Sequence, residues 1–174
     1  GSYSKQEFID LQRMGLEYGV RIIPEIDIPA HSLAFAHYKP EIASRKYGMD
    51  HLDLYKKETY QFVDSLLDEY LSGDNPVFIG DLHIGTDEYN KKEAEQYRYF
   101  TDRYLKFVEK YGKNVRMWGG LKWLPGKTPV KAEGVTVNAW SYDWVDPVVS
   151  LQDGYKLINT CDTYLYIVPA AGYY

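Results

Sequence analysis

Two adjacent carboxyl side chains, Asp87 and Glu88, follow a short apolar stretch, residues 77–84, that predicts a buried strand. Neighbouring residues of a strand point to opposite faces, so both acids can face one ligand only if the chain turns there. Gly85 permits such a turn. Two carboxyl groups at one ligand are suited to general acid–base catalysis. The alternative interpretation is that both acids cap the following helix, because acids favour a helix N-terminus.

A further acid, Asp27, lies close in sequence to the imidazole of His31. Both residues come just after the preceding predicted strand, residues 20–26. Asp27 can accept a hydrogen bond from a histidine, and His31 is close enough in sequence to be the partner of Asp27 or of a neighbouring residue. A carboxylate–imidazole relay beside Glu88 would tune the pKa of that acid toward the operating pH. A local turn with His31 bonded to the backbone is the alternative.

Aromatic side chains stand at the carboxyl ends of the later predicted strands, as Trp118, Trp140, Tyr164 and Tyr166. Filling of the core is the commonest use of such rings. Their common position favours a pocket instead, because ligands of parallel α/β folds bind at that edge of the sheet. A row of rings there is suited to the flat apolar face of a sugar.

Strands and helices alternate along the chain, which is typical of a parallel α/β fold. Residues 28–57 interrupt this alternation as one long connection, and a structureless loop of that length usually carries function. A closed (β/α)8 barrel needs eight strands and roughly 250 residues. We therefore expect an incomplete TIM (β/α)8 barrel with flanking helices. The five predicted strands are residues 20–26, 77–84, 115–118, 135–140 and 156–160.

The composition describes a globular protein of 174 residues with a net charge of −5. Without a basic stripe, a nucleic acid or an anionic membrane is not an expected partner. No run of 18 apolar residues predicts a membrane span. The single cysteine, Cys161, argues against a disulfide framework and a cysteine-rich zinc site. Residues 1–2 are interpreted as a cloning scar, and residues 3–174 as one domain.

The segments that carry these residues resemble glycoside hydrolase family 20, the β-N-acetylhexosaminidases and lacto-N-biosidases. Residues 83–88 resemble the family's His-x-Gly-Gly-Asp-Glu signature, and residues 23–31 resemble its Pro-Glu-Ile-Asp-x-Pro-Gly-His segment. Residues 115–118 and 138–140 resemble its two pocket tryptophan strands, and residues 163–166 resemble its Tyr-Leu-Asp/Asn segment. Order and spacing agree over essentially the whole chain.

Three positions depart from the family pattern. Thr86 and Ala30 stand in place of glycines, and since both residues are small we expect the two turns to survive. Tyr166 stands where many members have the Asp or Asn that binds a sugar hydroxyl. That last change leaves the choice of substrate open among N-acetylglucosamine, N-acetylgalactosamine and a disaccharide.

The resemblance implies a retaining mechanism in which the 2-acetamido group of the substrate is the nucleophile and an oxazolinium ion forms. Glu88 would protonate the leaving oxygen and later activate water. Asp87 would hold the acetamide nitrogen and stabilise the developing positive charge. Tyr164 would bond the acetamide oxygen, with Tyr166 as the second claimant.

The resemblance also assigns the surrounding residues. Trp118 and Trp140 would wall the acetamide pocket, while Asp27 and His31, together with His83, would support the acids. No metal and no organic cofactor is implied, and the partners are glycans that contain N-acetylhexosamine. The sequence variants resemble those of bacterial members, which predicts an extracellular or cell-surface location for the parent enzyme.

The five strands match the third to seventh of the family barrel, so we interpret the chain as a fragment of a larger enzyme. By itself it is expected to have weak or no hydrolytic activity. Its open sheet edges favour self-association.

Three other classes compete with this interpretation. A carbohydrate-binding remnant would keep the aromatic rim and bind sugar without turnover. A metal hydrolase would use Asp27, His31, His83 and Asp87, whose types suit a metal although their spacing forms no typical ligand pair. A purely structural module would leave the pattern of residues at the strand ends unexplained.

Overall fold

The computed structural model describes residues 2–167, which form a parallel sheet of five strands with helices packed against it. The order across the sheet is β1-β4-β5-β6-β7, and every neighbouring pair is parallel. This confirms the predicted parallel α/β sheet. Residues 168–174 of the proposed domain lie outside the described residues, and the domain division stays a prediction. The five strands are β1 Glu25–Ile28, β4 Leu82–Gly85, β5 Val115–Met117, β6 Val135–Ala139 and β7 Lys156–Asn159.

Six α-helices lie in the described part of the chain: α1 Lys5–Glu17, α2 Leu33–Tyr38, α3 Lys57–Leu71, α4 Ala94–Glu109, α5 Pro147–Gln152 and α6 Asp162–Leu165. A capping box between Ser4 and Glu7 begins α1. An aromatic face of α4 is buried in the core, where Tyr97, Phe100 and Tyr104 have no exposed surface. Burial of three large rings on one helix anchors α4 against β4 and β5.

The two faces of the sheet differ in chemistry. One face is apolar and packs into the core with the rings of α4. The opposite face carries polar and aromatic side chains, because successive strand residues alternate between faces. Along β6, for example, Val135, Val137 and Ala139 are buried, whereas Thr136 and Asn138 are half-buried between them. The carboxyl edge of the sheet therefore carries polar side chains on this face.

The first two strands are shorter than predicted. The ladder between β1 and β4 begins where His83 N–H donates to Pro24 O over 2.9 Å. Before β4, a side chain takes the place of a neighbouring strand: Gln12 Nε2 donates to Val77 O over 2.7 Å, and Gln12 Oε1 accepts from Ile79 N–H over 3.2 Å. Val77 and Ile79 are thus bound by a glutamine of α1 rather than by a neighbouring strand.

Replacing Gln12 by Met is expected to lower the free energy of unfolding by about 2 kcal/mol, because an unpaired buried backbone group costs roughly 1–3 kcal/mol. Gln12 is 1% exposed, so water cannot replace the lost bonds. Urea unfolding followed by circular dichroism measures the change. The matched control is Gln6→Met on the exposed face of the same helix, with an expected change within about 0.5 kcal/mol. Equal losses in the two variants would contradict this role of Gln12.

The long connection after β1 is structured, unlike the loop that the sequence predicted. It contains α2, a 3-10 turn at Pro40–Ile42, and an antiparallel hairpin of β2 Ala43–Ser44 and β3 Gly48–Leu52. The prediction failed because this segment is held by distant partners. Leu52 N–H donates to Pro29 O over 2.8 Å, and Tyr89 OH donates to Leu52 O over 2.7 Å.

The hairpin is also attached to the start of α4 through one carboxylate. Glu93 accepts hydrogen bonds from Lys46 Nζ over 2.7 Å, and from Tyr47 OH and Tyr55 OH over 2.5 Å each. These bonds lower the pKa of Glu93 to about 2, with the Lys46 contact as the largest cause. The connection after β1 and the connection after β4 are therefore held to one another.

Within residues 2–167, no helix combines the length and apolar character needed to cross a membrane. In the same part of the chain, β1 and β7 form the two edges of the sheet. Self-association through these edges stays a prediction.

Candidate active site

The turn after β4 brings both acids to one side. Gly85, Thr86 and Glu88 all have left-handed backbone conformations, with φ of 67°, 77° and 49°. Such conformations in residues other than glycine cost of order 1–3 kcal/mol and persist only where the surroundings impose them. The surroundings impose them here. Tyr97 OH donates to Thr86 O over 2.5 Å, and the backbone N–H of Trp118 donates to Gly85 O over 2.9 Å. The turn predicted at Gly85 is therefore present, and Thr86 adopts it without being glycine.

A very close approach between two strands fixes the start of this turn. A bulge shifts the register of β1 against β4, from Glu25 opposite His83 to Ile28 opposite Gly85. As a result, a Cβ atom at Gly85 would lie 1.8 Å from Asp27 Oδ1 and 2.7 Å from Asp27 Cα. Only glycine fits there, and its absent side chain lets the Asp27 carboxyl group reach the acid pair.

His31 joins the two acids across the mouth of the site. Its Nε2 lies 3.0 Å from Glu88 Oε2 and 3.4 Å from Asp87 Oδ2. His31 also has a left-handed backbone, with φ of 52°, immediately after the buried Ala30. The imidazole that the sequence placed near Glu88 thus contacts both carboxyl groups.

Asp27 and Asp87 form a carboxyl pair. Burial, followed by the charge of Asp87, raises the pKa of Asp27 to about 8. Burial also raises the pKa of Asp87, but the charge of His31 and the hydrogen bond from Asp27 oppose that rise. Asp27 is therefore the stronger proton holder of the two carboxyl groups. Of the two options that the sequence left for His31, Asp27 or a neighbouring acid, the contacts favour the neighbouring acids Asp87 and Glu88.

Two tryptophans from successive strands complete a pocket around the acids. The pocket has a volume of about 390 Å³, a size typical of small-ligand sites. Trp140 lines this pocket, and its buried Nε1–H has no hydrogen-bond partner within the described chain. The residues that line the pocket are Glu25, Asp27, His31, Asp87, Glu88, Trp118, Trp140 and Tyr166.

Of the two tyrosines proposed from sequence, the structure brings Tyr166 to the pocket and leaves Tyr164 outside its lining. The segment after β7 does not continue as a strand but forms the short helix α6. Tyr164 lies within that helix and is 73% exposed. Its role in binding a ligand stays a prediction.

His83 lies behind the pocket rather than in it. Its Nδ1 accepts a hydrogen bond from Gly85 N–H over 3.1 Å, and its ring centroid is 4.8 Å from that of Trp118. Burial, together with the nearby charge of Arg116, lowers the pKa of His83 to about 4. His83 is therefore a neutral residue that supports the turn and the tryptophan ring.

This depressed pKa predicts a pH-dependent contribution of His83 to stability. Between pH 6.5 and 4 the unfolded state binds a proton that the folded state excludes, so the contribution is lost as the pH falls through this window. Wild type should therefore lose about 3 kcal/mol more than His83→Gln between pH 6.5 and 4, at roughly 1.4 kcal/mol per pKa unit. Urea unfolding of both proteins at a series of pH values measures it. Comparison with this variant cancels the titration of Asp27, and parallel curves would refute the prediction.

Three side chains of the site offer ligand atoms of types that metals accept. One atom each from Asp27, His31 and Asp87 lies within 4.8 Å of the others. His83, the fourth residue of the metal-hydrolase alternative, is not part of this group, because its Nδ1 faces Gly85. The absence of a metal cofactor stays a prediction.

Sequence reasoning missed Glu25, which lines the pocket and accepts a hydrogen bond from Trp118 Nε1–H over 2.5 Å. The signal that would have found it is its spacing. Glu25 lies two residues before Asp27 on the same strand, and such residues share a face.

A parallel sheet with paired acids and tryptophans at its carboxyl edge places the chain in the class of (β/α)-barrel proteins. The family model for the catalytic domain of glycosyl hydrolase family 20 matches residues 1–98. The chain therefore belongs to glycoside hydrolase family 20, which confirms the resemblance seen in its sequence.

Relatives and solved structures agree with this family. A β-hexosaminidase of Arthroderma benhamiae is 29% identical over 90% of the chain and 31% of its own length. A lacto-N-biosidase of Bifidobacterium bifidum is 25% identical over 90% of the chain and 16% of its own length. A Streptomyces plicatus β-hexosaminidase, solved as a mutant in complex with its product GlcNAc, superposes with a TM-score of 0.72 at 26% identity, covering 90% of this chain and 33% of that one.

A pneumococcal exo-β-D-N-acetylglucosaminidase shares the fold at 18% identity, with a TM-score of 0.80 over 98% of this chain and 47% of that chain. These structures confirm a partial TIM barrel. The chain thus spans about a third of the length of the Arthroderma and Streptomyces proteins.

Proposed function

We propose that this chain forms the catalytic pocket of a glycosidase that removes terminal β-linked N-acetylhexosamine from glycans, by a retaining and substrate-assisted mechanism. The observation that carries the proposal is the convergence of Asp87, Glu88 and His31 in one pocket with Trp118 and Trp140. Membership of family 20 and the names of the relatives support it.

Glu88 is the acid and base of the proposed reaction. It donates its proton to the glycosidic oxygen while the acetamide oxygen of the substrate attacks the anomeric carbon and the glycosidic bond breaks. Glu88, now a carboxylate, takes a proton from water as that water opens the oxazolinium ring. Its side chain is 46% exposed, which gives room for a leaving group and then for water. His31, 3.0 Å away, holds the carboxyl group in place.

Asp87 is the charge that stabilises the intermediate. Its side chain is 17% exposed, and a carboxylate in such a setting interacts more strongly with a neighbouring cation than one in water. It accepts the acetamide N–H and faces the positive charge that develops on the oxazolinium ring. The pKa of Asp27, raised to about 8, makes Asp27 the stronger proton holder, which favours the negative charge on Asp87.

Trp118 and Trp140 enclose the acetamide group, whose methyl end is apolar and whose amide end is polar. Tyr166 lines the same pocket and is the better placed of the two tyrosines to contact the substrate.

Release of a disaccharide is the second candidate, favoured by the similarity to a lacto-N-biosidase over 90% of the chain. A third outcome, sugar binding without turnover, applies if the described strands bind the substrate but parts supplied elsewhere are needed for cleavage. The relative rates on three substrates separate these outcomes.

The test is an assay of the full-length protein with aryl N-acetyl-β-D-glucosaminide, aryl N-acetyl-β-D-galactosaminide and aryl lacto-N-bioside. The matched control substrate is the aryl β-D-glucoside, which lacks the acetamide group. We expect turnover of at least one acetamide substrate, retention at the anomeric carbon by NMR, and no turnover of the glucoside. Equal rates on glucoside and acetamide substrates, or inversion, would refute substrate assistance.

A further inference from the structure

Glu25 is an acidic residue of the pocket to which the proposed mechanism gives no role. It begins β1, and its side chain points to the same face as that of Asp27. Its side chain is 36% exposed, and the carboxyl group lines the pocket beside Trp118. It is therefore close to the substrate without belonging to the acid pair.

The indole ring of Trp118 is held at two points. Its Nε1–H donates to Glu25 Oε1 over 2.5 Å, and its ring packs against the tilted His83 ring, with centroids 4.8 Å apart and planes at 57°. A hydrogen bond to a carboxylate is shorter and roughly twice as strong as one between neutral groups. The hydrogen bond and the ring contact together restrict the orientation of the indole.

The partners of Glu25 suit this single task. Burial raises the pKa of Glu25, and the hydrogen bond from Trp118 opposes that rise, so the indole N–H favours the carboxylate form. His83 Nδ1 lies 3.4 Å from the same oxygen but accepts the Gly85 N–H, so Trp118 supplies the closer donor. The position of the ring therefore depends on an acceptor oxygen at residue 25.

We propose that Glu25 is a positioning residue that fixes the wall formed by Trp118 and thereby sets the size of acyl group that the pocket accepts. The proposal rests on the proposed function, in which Trp118 encloses the acetamide group of the substrate. A fixed wall excludes acyl groups larger than acetyl, and it holds the acetamide oxygen in line with the anomeric carbon.

The test compares Glu25→Met, which removes the acceptor, with Glu25→Gln, which keeps an acceptor oxygen at the same distance along the side chain. The measured quantity is the ratio of kcat/KM for aryl N-acetyl- and N-propionyl-glucosaminides. One added methylene in a fitted pocket is usually discriminated by about 10–200-fold. We expect Glu25→Met to lower this ratio about tenfold, and Glu25→Gln to keep a ratio close to that of the wild type. Because a ratio is independent of the fraction of folded protein, loss of stability alone would not change it.

A double-mutant cycle with Trp118→Phe identifies the contact. Phenylalanine keeps a ring but lacks the N–H, so Glu25→Met should have little further effect on the ratio in that background. Additive effects of the two substitutions, or an unchanged ratio in Glu25→Met, would overturn the proposal while leaving the hydrolase function intact.

A second readout separates the two proposals if the wild-type protein does not hydrolyse either substrate. The chain has four tryptophans, and Trp118→Phe identifies the indole N–H signal of residue 118 in a ¹H–¹⁵N NMR spectrum. That signal should move upfield in Glu25→Met, whereas the signal of Trp123 should not. An unmoved Trp118 signal would refute the positioning role, and absence of turnover alone would refute only the proposed function.

Discussion

Glu88→Gln is expected to lower kcat/KM by about 10²–10⁴-fold on a natural disaccharide, the usual contribution of a general acid or base. The amide has the shape of the acid and can still accept a hydrogen bond from His31 Nε2, which lies 3.0 Å away in the wild type. It cannot donate the proton that the leaving oxygen needs. The geometry of the pocket is thus kept while the chemistry is removed.

The leaving group offers an internal check on this variant. An aryl group with an acidic phenol needs less protonation than a sugar hydroxyl, so we expect a smaller loss on the aryl glycoside than on the disaccharide. Stopped assays with both substrates measure the difference. The matched control is Glu133→Gln, an exposed residue just before β6 at the amino edge of the sheet, which should retain wild-type rates. Wild-type hydrolysis by Glu88→Gln would show that another group is the acid.

Gly85→Ala is expected to cost about 3 kcal/mol or more of unfolding free energy and to abolish most of the activity. Overpacking costs typically 1–3 kcal/mol, and a left-handed backbone in a residue with a Cβ adds roughly 1–2 kcal/mol. The new methyl group would lie 2.7 Å from Asp27 Cα, so rotation of the aspartate side chain cannot relieve the contact. Displacement of β1 would separate Asp27 from Asp87 and alter the charge on the acid pair.

Gly112→Ala is the matched control for this substitution. Gly112 has φ of 69°, close to the 67° of Gly85, but a Cβ atom there would meet nothing within 4 Å. It therefore carries the backbone penalty alone, about 1–2 kcal/mol. Urea unfolding of both variants measures the difference that the Asp27 contact makes. If the two substitutions cost the same, Gly85 is required for its backbone conformation and not for the close approach.

Local sequence features predicted much of the fold. The apolar runs located all five strands of the sheet, because a buried parallel strand must be apolar over several residues. The turn at Gly85 was predicted from chemistry, since two adjacent acids cannot face one ligand from a regular strand. The rings of α4 recur at helical spacing along the sequence, and Tyr97, Phe100 and Tyr104 are all buried.

Contacts between distant segments account for what the sequence did not predict. The register bulge that places Asp27 against Gly85 depends on the fit of two strands separated by more than 50 residues. The hairpin of β2 and β3 depends on Glu93, and the segment before β4 depends on Gln12. A four-residue helix placed Tyr164 outside the pocket lining, and so short a helix leaves no periodic signal.

The left-handed backbone of Thr86 has a consequence for how rigid the pocket is. Glycine would adopt the same conformation without steric cost, but it would give the unfolded chain more freedom and the turn more alternatives. Thr86 has fewer accessible conformations, because its carbonyl oxygen is bonded by the hydroxyl of Tyr97 and its β-branched side chain restricts χ1. The acid pair is thus ordered when the protein folds, so binding of the proposed substrate would not need to order it further.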